Sequence, residues 1–317
     1  MKIILTGAAG FIGYHQTKSL LDSGFKILGI DSMNNYYDSK LKKDRLKILK
    51  KYSNFSFKKL NISNYNLLSD AFGDFKPNKV INLAAQPGVQ YSLENPKAYL
   101  ESNLIGFFNI IELSKIHKVE NFVYASSSSV YGRGSEIPFN VNESADKPLA
   151  LYGATKRSNE IIAYSYSNIY GLNTTGLRYF TVYGPWYRPD MAMFIFINKI
   201  INNKKITIYN KGNLKRDFTY IDDIIEGTTS ALNNNYRYEI FNLGNNKSFK
   251  IMDLIELIEN KLNKKALIKF KALKPGDMIE TCADIDHSIK KLKYKPKTSI
   301  DAGVNKLIHW YKDYYNA

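Results

Sequence analysis

The 317-residue chain carries 45 Lys and Arg against 29 Asp and Glu, a formal charge of +16 at pH 7, with 44% apolar and 23% charged residues. Such a length buries a large core and predicts one large domain or two closely joined ones, with the composition of a soluble globular protein. The charge alone would suit nucleic acid, but the lysines are scattered and no DNA- or RNA-binding motif accompanies them, so that class is set aside; a positive field also gathers a polyanionic nucleotide substrate.

No apolar run approaches membrane-spanning length, and the chain opens on an apolar strand, Lys2 to Gly7, so neither a signal peptide nor an anchor is expected. The single cysteine, Cys282, has no intrachain partner, which fits a cytoplasmic protein. His15, His117, His287 and His309 show no metal-ligand spacing, so no metal site is predicted.

Taken in order, residues 2 to 7 read as a buried strand and are followed by Gly7-Ala-Ala-Gly10-Phe-Ile-Gly13 and a helix ending near Gly24. In that setting Gly7 permits a tight turn, Gly10 admits a pyrophosphate to the backbone and Gly13 lets helix and strand pack closely. The free N–H groups of the helix start then face the phosphates. The next strand, Lys26 to Ile30, ends in Asp31, whose carboxylate can hold both adenosine ribose hydroxyls and would repel a 2′-phosphate, which selects NAD over NADP.

The alternation continues. Strands are predicted over Phe55 to Ile62, Lys79 to Ala85, Asn121 to Ser128 and Thr174 to Tyr183, with helices to about Phe75, over Lys97 to His117 and over Leu149 to Tyr170. Lysine-rich helices are expected over residues 40–51 and 290–297. The pattern implies an α/β fold with a doubly wound parallel sheet, whose ligands bind beyond the carboxyl ends of the strands. After Gly184 it loosens into a loop containing Pro185, Trp186, Arg188 and Pro189. Short strands (Ile206 to Tyr209, Glu239 to Asn242, Ala266 to Lys271) and helices near Ile221, Ile251 and Ala302 then suggest a smaller C-terminal α/β lobe. The expected division is 1–184 for the cofactor and 185–317 for the substrate, interleaved.

Tyr152-Gly-Ala-Thr-Lys156 lies on the helix predicted from Leu149. Its tyrosine and lysine project from one face, and an ammonium beside a phenol favours the phenolate, so the tyrosine is expected to act as a base well below its free pKa near 10. A bare Tyr-x-x-x-Lys is equally an exposed helix turn. Here the serine run Ser126 to Ser129, at a predicted strand end, would add a hydroxyl to the same group.

With these residues in view, the chain resembles the extended short-chain dehydrogenase/reductases, and within them the nucleotide-sugar epimerases. The likeness runs through TGAAGFIG at 6–13, Asn82 to Gln86, Asn103, SSSSVYG at 126–132, YGATK at 152–156 and RDFTYIDDIIEG at 216–227. More narrowly, DSMNNYYD at 31–38, YSLENP at 91–96, LRYFTVYGPWYRPDMAMF at 177–194 and KPGDMIETCAD at 274–284 resemble the UDP-glucuronate 4-epimerases.

The resemblance implies Ser127, Tyr152 and Lys156 as the catalytic group, with Lys156 also on the nicotinamide ribose. It implies NAD contacts from Gly7, Gly10, Phe11, Ile12 and Gly13, from Asp31, Asn61 and Ile62, and from Leu83, Ala84 and Ala85. Asn103 and Tyr179 would sit near the nicotinamide and the substrate. Arg216, Lys274 and Asp277 would hold the UDP part. The implied chemistry is a transient oxidation: Tyr152 takes the C4 hydroxyl proton, NAD accepts and returns the electrons, and the 4-keto sugar turns about its diphosphate. A homodimer through the helices near 97–117 and 149–170, and an acidic sugar for a surface polysaccharide, follow from the same likeness.

Related dehydratases resemble Thr-Asp-Glu where this chain has Ser127-Ser128-Ser129, and uronate decarboxylases carry Glu at the place of Ser129. Hydroxyls at both positions suit a sugar that is held without losing water. Ser128, Ser129, Thr181 and Arg188 together would hold a carboxylate, Arg188 through its paired donors; the serines are equally read as turn or capping hydroxyls. Three positions depart from the pattern. Gln90 replaces a common arginine, Asn61 a common Asp, and Thr281 a bulkier residue of the hexose epimerases. Neither Gln90 nor Thr281 excludes a 4-epimerase of UDP-glucose or UDP-N-acetylglucosamine.

Overall fold

A computed structural model describes residues 1–132 and 134–317. Its centre is a seven-stranded, all-parallel sheet in the order β10-β6-β5-β4-β1-β2-β3. The strands of its first half are β1 (Lys2–Thr6), β2 (Lys26–Asp31), β3 (Phe55–Lys59), β4 (Lys79–Asn82) and β5 (Asn121–Ser127). Side chains alternate across it, as strand geometry requires: Ile3, Leu5, Ile27 and Val123 pack to one side, Ile4, Leu28, Val80 and Phe122 to the other.

Helices cover both faces. α1 (Phe11–Asp22) and α2 (Ser39–Leu49) lie on the first side, and α3 (Tyr65–Phe75) on the second, where Leu68 and Phe72 are fully buried. The starts of α2 and α3 are written locally: Asp38 accepts from the Lys40 N–H at 2.8 Å and Asn64 from the Leu67 N–H at 3.1 Å.

The helix expected over Lys97 to His117 is three pieces after the short α4 (Tyr91–Glu94). α5 (Pro96–Tyr99) starts at a proline, a π-helical segment spans Leu100–Ile105, and α6 (Gly106–Ile116) completes the run. The wide π register turns Asn103 inward, where it accepts from the Gln86 N–H at 2.7 Å.

α7 (Leu151–Tyr170) ends at Gly171, whose φ of 75° suits glycine. The run Thr174 to Tyr183, expected as one strand, divides at Phe180. β6 (Thr174–Tyr179) stays in the central sheet beside β5, while β7 (Thr181–Tyr183) joins a second sheet beside β9 (Lys215–Tyr220). Tyr179 and Thr181 therefore leave two different sheets into the same cleft.

Helix α8 (Ala192–Ile201), absent from the sequence reading, follows the proline-rich loop, and β8 (Ile206–Tyr209) precedes β9. α9 (Ile221–Asn233) packs back on α1 and leads into β10 (Tyr238–Leu243), the outermost strand of the central sheet. The expected place of Glu239 to Asn242 in the smaller lobe is thus corrected: six consecutive residue pairs join β10 to β6. The smaller lobe contains β11 (Ser248–Lys250), antiparallel to β9, α10 (Ile251–Leu262), β12 (Ile268–Lys271) beside β8, α11 (Asp286–Leu292) and α12 (Ile300–Tyr315). The helix expected over 290–297 stops at Leu292, because Lys293 takes a left-handed φ of 56°. One buried apolar cluster runs from Ile3 and Leu5 through Phe180 and Phe218 to Leu254 and Leu307, so the lobes share a core. No helix among the described residues is long and apolar enough to cross a membrane.

Candidate active site

Where the carboxyl ends of β1, β2, β4 and β5 face the smaller lobe, a cavity of about 410 Å³ opens. Its floor at one end is the turn between β1 and α1. Gly7 has a φ of 72°, and a Cβ at Gly13 would lie 1.9 Å from the Gly7 carbonyl oxygen, so the close approach admits only glycine. Gly10 starts α1 without a side-chain cap and no acid stands in the first turn, which leaves the helix-start N–H groups to an anion. Asp31, 7% exposed, accepts from Ala9 N–H at 3.1 Å and Met33 N–H at 2.8 Å. Phe11, Ile12, Asn61, Ile62, Leu83, Ala84 and Ala85 line the same end. This cradle fits a dinucleotide: a glycine-lined turn for the pyrophosphate, a carboxylate for a ribose, and an apolar slot beside them. Asn61 accepts from Ser63 N–H at 3.2 Å and donates to Glu101 at 2.8 Å, so its oxygen keeps one lone pair for a base.

In the middle of the cavity, α7 brings Tyr152 and Lys156 against the end of β5. Lys156 is 3% exposed and donates to the Ala125 carbonyl at 2.8 Å, and Ser127 accepts from the Ser129 N–H at 3.1 Å. Glu160, one turn further, is fully buried and holds Arg178 by two bonds of 2.9 and 2.8 Å and Ser126 at 2.6 Å.

The expected electrostatics need correction. Burial pushes the Tyr152 phenol above its ordinary pKa, only partly offset by Ser127 and the charge of Arg188. Burial also pulls Lys156 down to about 8, against the opposing charge of Glu160. The lysine is aimed at a carbonyl, and desolvation of both groups outweighs the attraction that the four-residue spacing suggests. In the protein alone, burial thus favours the neutral phenol of Tyr152 over the phenolate.

The far end is walled by Ser128, Ser129, Thr181, Arg188, Arg216, Asp277 and Thr281. Arg216 donates to the Lys215 carbonyl at 2.8 Å. Gln90 donates to the Pro275 carbonyl at 3.0 Å and to Asp277 at 3.2 Å, fastening the 274–278 turn. The donors of Arg188 expected to meet a substrate carboxylate are engaged by Asp190: Nε to Oδ1 at 3.0 Å and Nη2 to Oδ2 at 2.5 Å.

The family model for NAD dependent epimerases/dehydratases matches residues 3–244. The chain belongs to this family. It is 47% identical to Protein CapI of Staphylococcus aureus over 99% of each chain. It is 41% identical to UDP-glucuronate 4-epimerase 4 of Arabidopsis thaliana, over 99% of this chain and 76% of that one. Among solved structures it is similar to the UDP-glucuronic acid 4-epimerase of Bacillus cereus in complex with UDP-glucuronic acid and NAD. That likeness has a TM-score of 0.94 at 36% identity and covers 99% of this chain and 100% of the other.

For a member of this epimerase/dehydratase family, two expected site residues lie elsewhere. Asn103 does not face the cavity; it is 1% exposed, and its amide donates to the Gln86 carbonyl and the Thr155 hydroxyl at 3.1 Å each. It shapes the 83–86 turn from behind. Lys274 does not line the cavity; its ammonium lies 4.6 Å from the centre of the Tyr209 ring. Tyr179 lines the cavity, with its hydroxyl 2.9 Å from that of Thr228.

Sequence reasoning also missed contributors. Tyr36, Tyr37 and Lys42 line the cavity from the segment after β2, and Lys42 donates to Asn34 at 2.9 and 2.7 Å. Arg45 is fully buried behind them, donating to the Ala9 carbonyl, the Tyr37 hydroxyl and the Trp186 carbonyl. The signal was present: paired tyrosines in DSMNNYYD, followed by Lys42 and Arg45 one helical turn apart.

Proposed function

We propose that the chain is an NAD-dependent 4-epimerase of UDP-sugars, converting UDP-glucuronate to UDP-galacturonate through a transient 4-keto sugar. One observation carries the reading: a single cavity joins the dinucleotide cradle, the Ser127–Tyr152–Lys156 group and the Arg188–Arg216 end, in a chain alike end to end to an enzyme solved with both ligands.

Gly7, Gly10, Phe11, Ile12 and Gly13 would hold the pyrophosphate of NAD and Asp31 a ribose, with Asn61, Ile62 and Leu83 to Ala85 around the base and linker. Bound NAD supplies reversible two-electron exchange at a sugar carbon. Tyr152 would take the C4 hydroxyl proton and return it after the sugar has turned; Ser127 would orient that hydroxyl. To take that proton Tyr152 must first be ionised, and the charges of Arg188 and of a bound oxidised nicotinamide would favour the phenolate against the cost of burial. Lys156, charged below about pH 8, would steady the phenol as the proton moves and bind the nicotinamide ribose. Arg216 and Asp277 would hold the UDP part. Ser128, Ser129, Thr181 and Arg188 would surround the carboxylate.

The occupied fork of Arg188 favours a second reading, a 4-epimerase of neutral UDP-glucose or UDP-N-acetylglucosamine, since such sugars ask nothing of that guanidinium. We take residues 1–184 as the cofactor-binding part and 185–317 as the sugar-nucleotide part, with α9 and β10 crossing back. We further propose a homodimer through α6 and α7, where Phe108, Ile161, Tyr164 and Ile169 are 47%, 55%, 56% and 64% exposed. A cytoplasmic location, suggested by the one unpaired cysteine, and supply of acidic sugar for a polysaccharide complete the reading.

The test is incubation of purified protein with UDP-glucuronate, without added NAD, and separation of the products. UDP-galacturonate without carbon dioxide is expected, and Tyr152→Phe should lower the rate by about 10²- to 10⁴-fold while retaining bound NAD. Conversion of UDP-glucose or UDP-N-acetylglucosamine alone would establish the second reading.

A further inference from the structure

Arg188, which lines the cavity, and Asp190 flank Pro189 in the loop after β7 and pair with each other, their side chains 17% and 28% exposed. The forked pair is tied to the opposite lip of the cleft. Tyr36, from the segment after β2, donates its hydroxyl to the same Asp190 Oδ2 at 3.2 Å, and its ring centre lies 5.9 Å from the Arg188 guanidinium. The Tyr36 ring packs on Tyr91 with centres 4.8 Å apart, so the pair is backed by side chains from two further segments. Burial disfavours the Arg188 charge, but Asp190 more than offsets this. Arg188 is also close enough for its charge to act on Tyr152. An arginine beside the reacting tyrosine therefore already holds a carboxylate, and the chain itself supplies it.

We propose that Asp190 is the exchange partner of the substrate carboxylate, a positioning residue that yields Arg188 to a bound uronate and takes it back while the sugar turns. This rests on the uronate reading above. Leaving a desolvated guanidinium bare is costly, so an arginine that must grip and release a carboxylate within one catalytic cycle does better passing from one carboxylate to another. The exchange also weakens the grip. A uronate meets a neutral pair instead of a full cation and competes with a negative charge already in place. A neutral hexose has no group that displaces Asp190, and is held with the pair closed. Asp190 thus tempers uronate affinity and lets go of the sugar between the two half-reactions.

The test is calorimetric titration of the NAD-containing Asp190→Asn and Asp190→Ala proteins with UDP-glucuronate, UDP-glucose and UDP, alongside turnover. Both variants remove the charge, and Asn keeps the shape, so agreement between them separates charge from loop packing. The dissociation constant for UDP-glucuronate should fall about fivefold while those for UDP-glucose and UDP stay put. The kcat for the uronate should fall as its release during turning is slowed. Weaker binding of UDP-glucuronate, or an equal change for all three ligands, would overturn the exchange and leave Asp190 as an orienting or loop-shaping residue. Wild-type product analysis reports separately on the uronate reading, because the titrations need no turnover.

Discussion

At its cofactor end the cleft is made of backbone: a turn closed by Gly7 and Gly13, a helix start without a cap, and strand ends fixed by a seven-stranded parallel sheet. At its sugar end it is made of side chains that hold one another, some within one loop and some from distant segments. Arg188 pairs with Asp190, Tyr36 reaches the same carboxylate, and Gln90 fastens the turn that carries Asp277. The first end has one shape available to it, since backbone atoms in van der Waals contact cannot yield. The second is a set of exchangeable hydrogen bonds, each worth little alone, which suits a substrate that must turn over inside the site. Substitutions should therefore fail abruptly at the first end and by degrees at the second.

The largest effect is expected from Gly13→Ala. The new methyl would sit 1.9 Å from the Gly7 carbonyl oxygen and 2.7 Å from its carbon, both backbone atoms. The turn would have to open, at a cost of about 2–4 kcal/mol, and the phosphate cradle would open with it. Purified Gly13→Ala protein should carry little NAD and melt well below the wild type. Full NAD content at an unchanged melting temperature would show that the cofactor end also yields, and the contrast would collapse.

That contrast also explains what could be read in advance. Gly7, Gly10, Gly13 and Asp31 are legible because glycine spacing and a strand-end acid encode backbone geometry directly. The alternation of strands and helices was legible for the same reason. Phe180 gave no warning of the sheet change at that point, since an apolar run reads the same whether its residues pair with one sheet or two. The π register around Asn103 keeps an apolar helical spacing, so nothing marked that residue as turned inward. Lys274 depends on a neighbour that arrives from elsewhere in the chain, Tyr209, and Arg188 on how the fold turns its near neighbour Asp190 toward it. The four-residue spacing of Tyr152 and Lys156 was plain, but not their burial, and burial decides the sense of their pKa shifts.

Lys156 sits where the two ends meet and gives a smaller, opposite effect. Its folded pKa of about 8 is below the unfolded 10.5, so folding at neutral pH buries a cation at a cost. Between those two values the unfolded chain binds more protons, and stability rises with pH from about 8 to 10.5. Lys156→Met removes the buried charge but also the bond to the Ala125 carbonyl, for a net gain of ~1–2 kcal/mol at pH 7. The variant should be inactive yet melt higher than the wild type at pH 7, with the advantage gone near pH 10. Equal melting curves at both pH values would mean that the ammonium is not buried at a cost, and that the seam is as relaxed as the sugar end.

The smallest effect belongs to Gln90. Its amide donates to the Pro275 carbonyl and to Asp277, but both bonds lie near solvent, and the 274–278 turn has support of its own from the Asp277 N–H to the Lys274 carbonyl at 3.3 Å. Gln90→Ala removes two hydrogen bonds that water can partly replace, a loss of ~0.5–1 kcal/mol. The turn should loosen without leaving the cleft, raising KM for the UDP-sugar about two- to fivefold and leaving kcat and bound NAD unchanged. Gln90→Arg should act in the other direction, because a guanidinium meets the Asp277 carboxylate with charge as well as hydrogen bonds. A matching fall in kcat for Gln90→Ala would mean that this turn reaches the reacting carbon, and that the sugar end is as tightly constrained as the glycine turn opposite it.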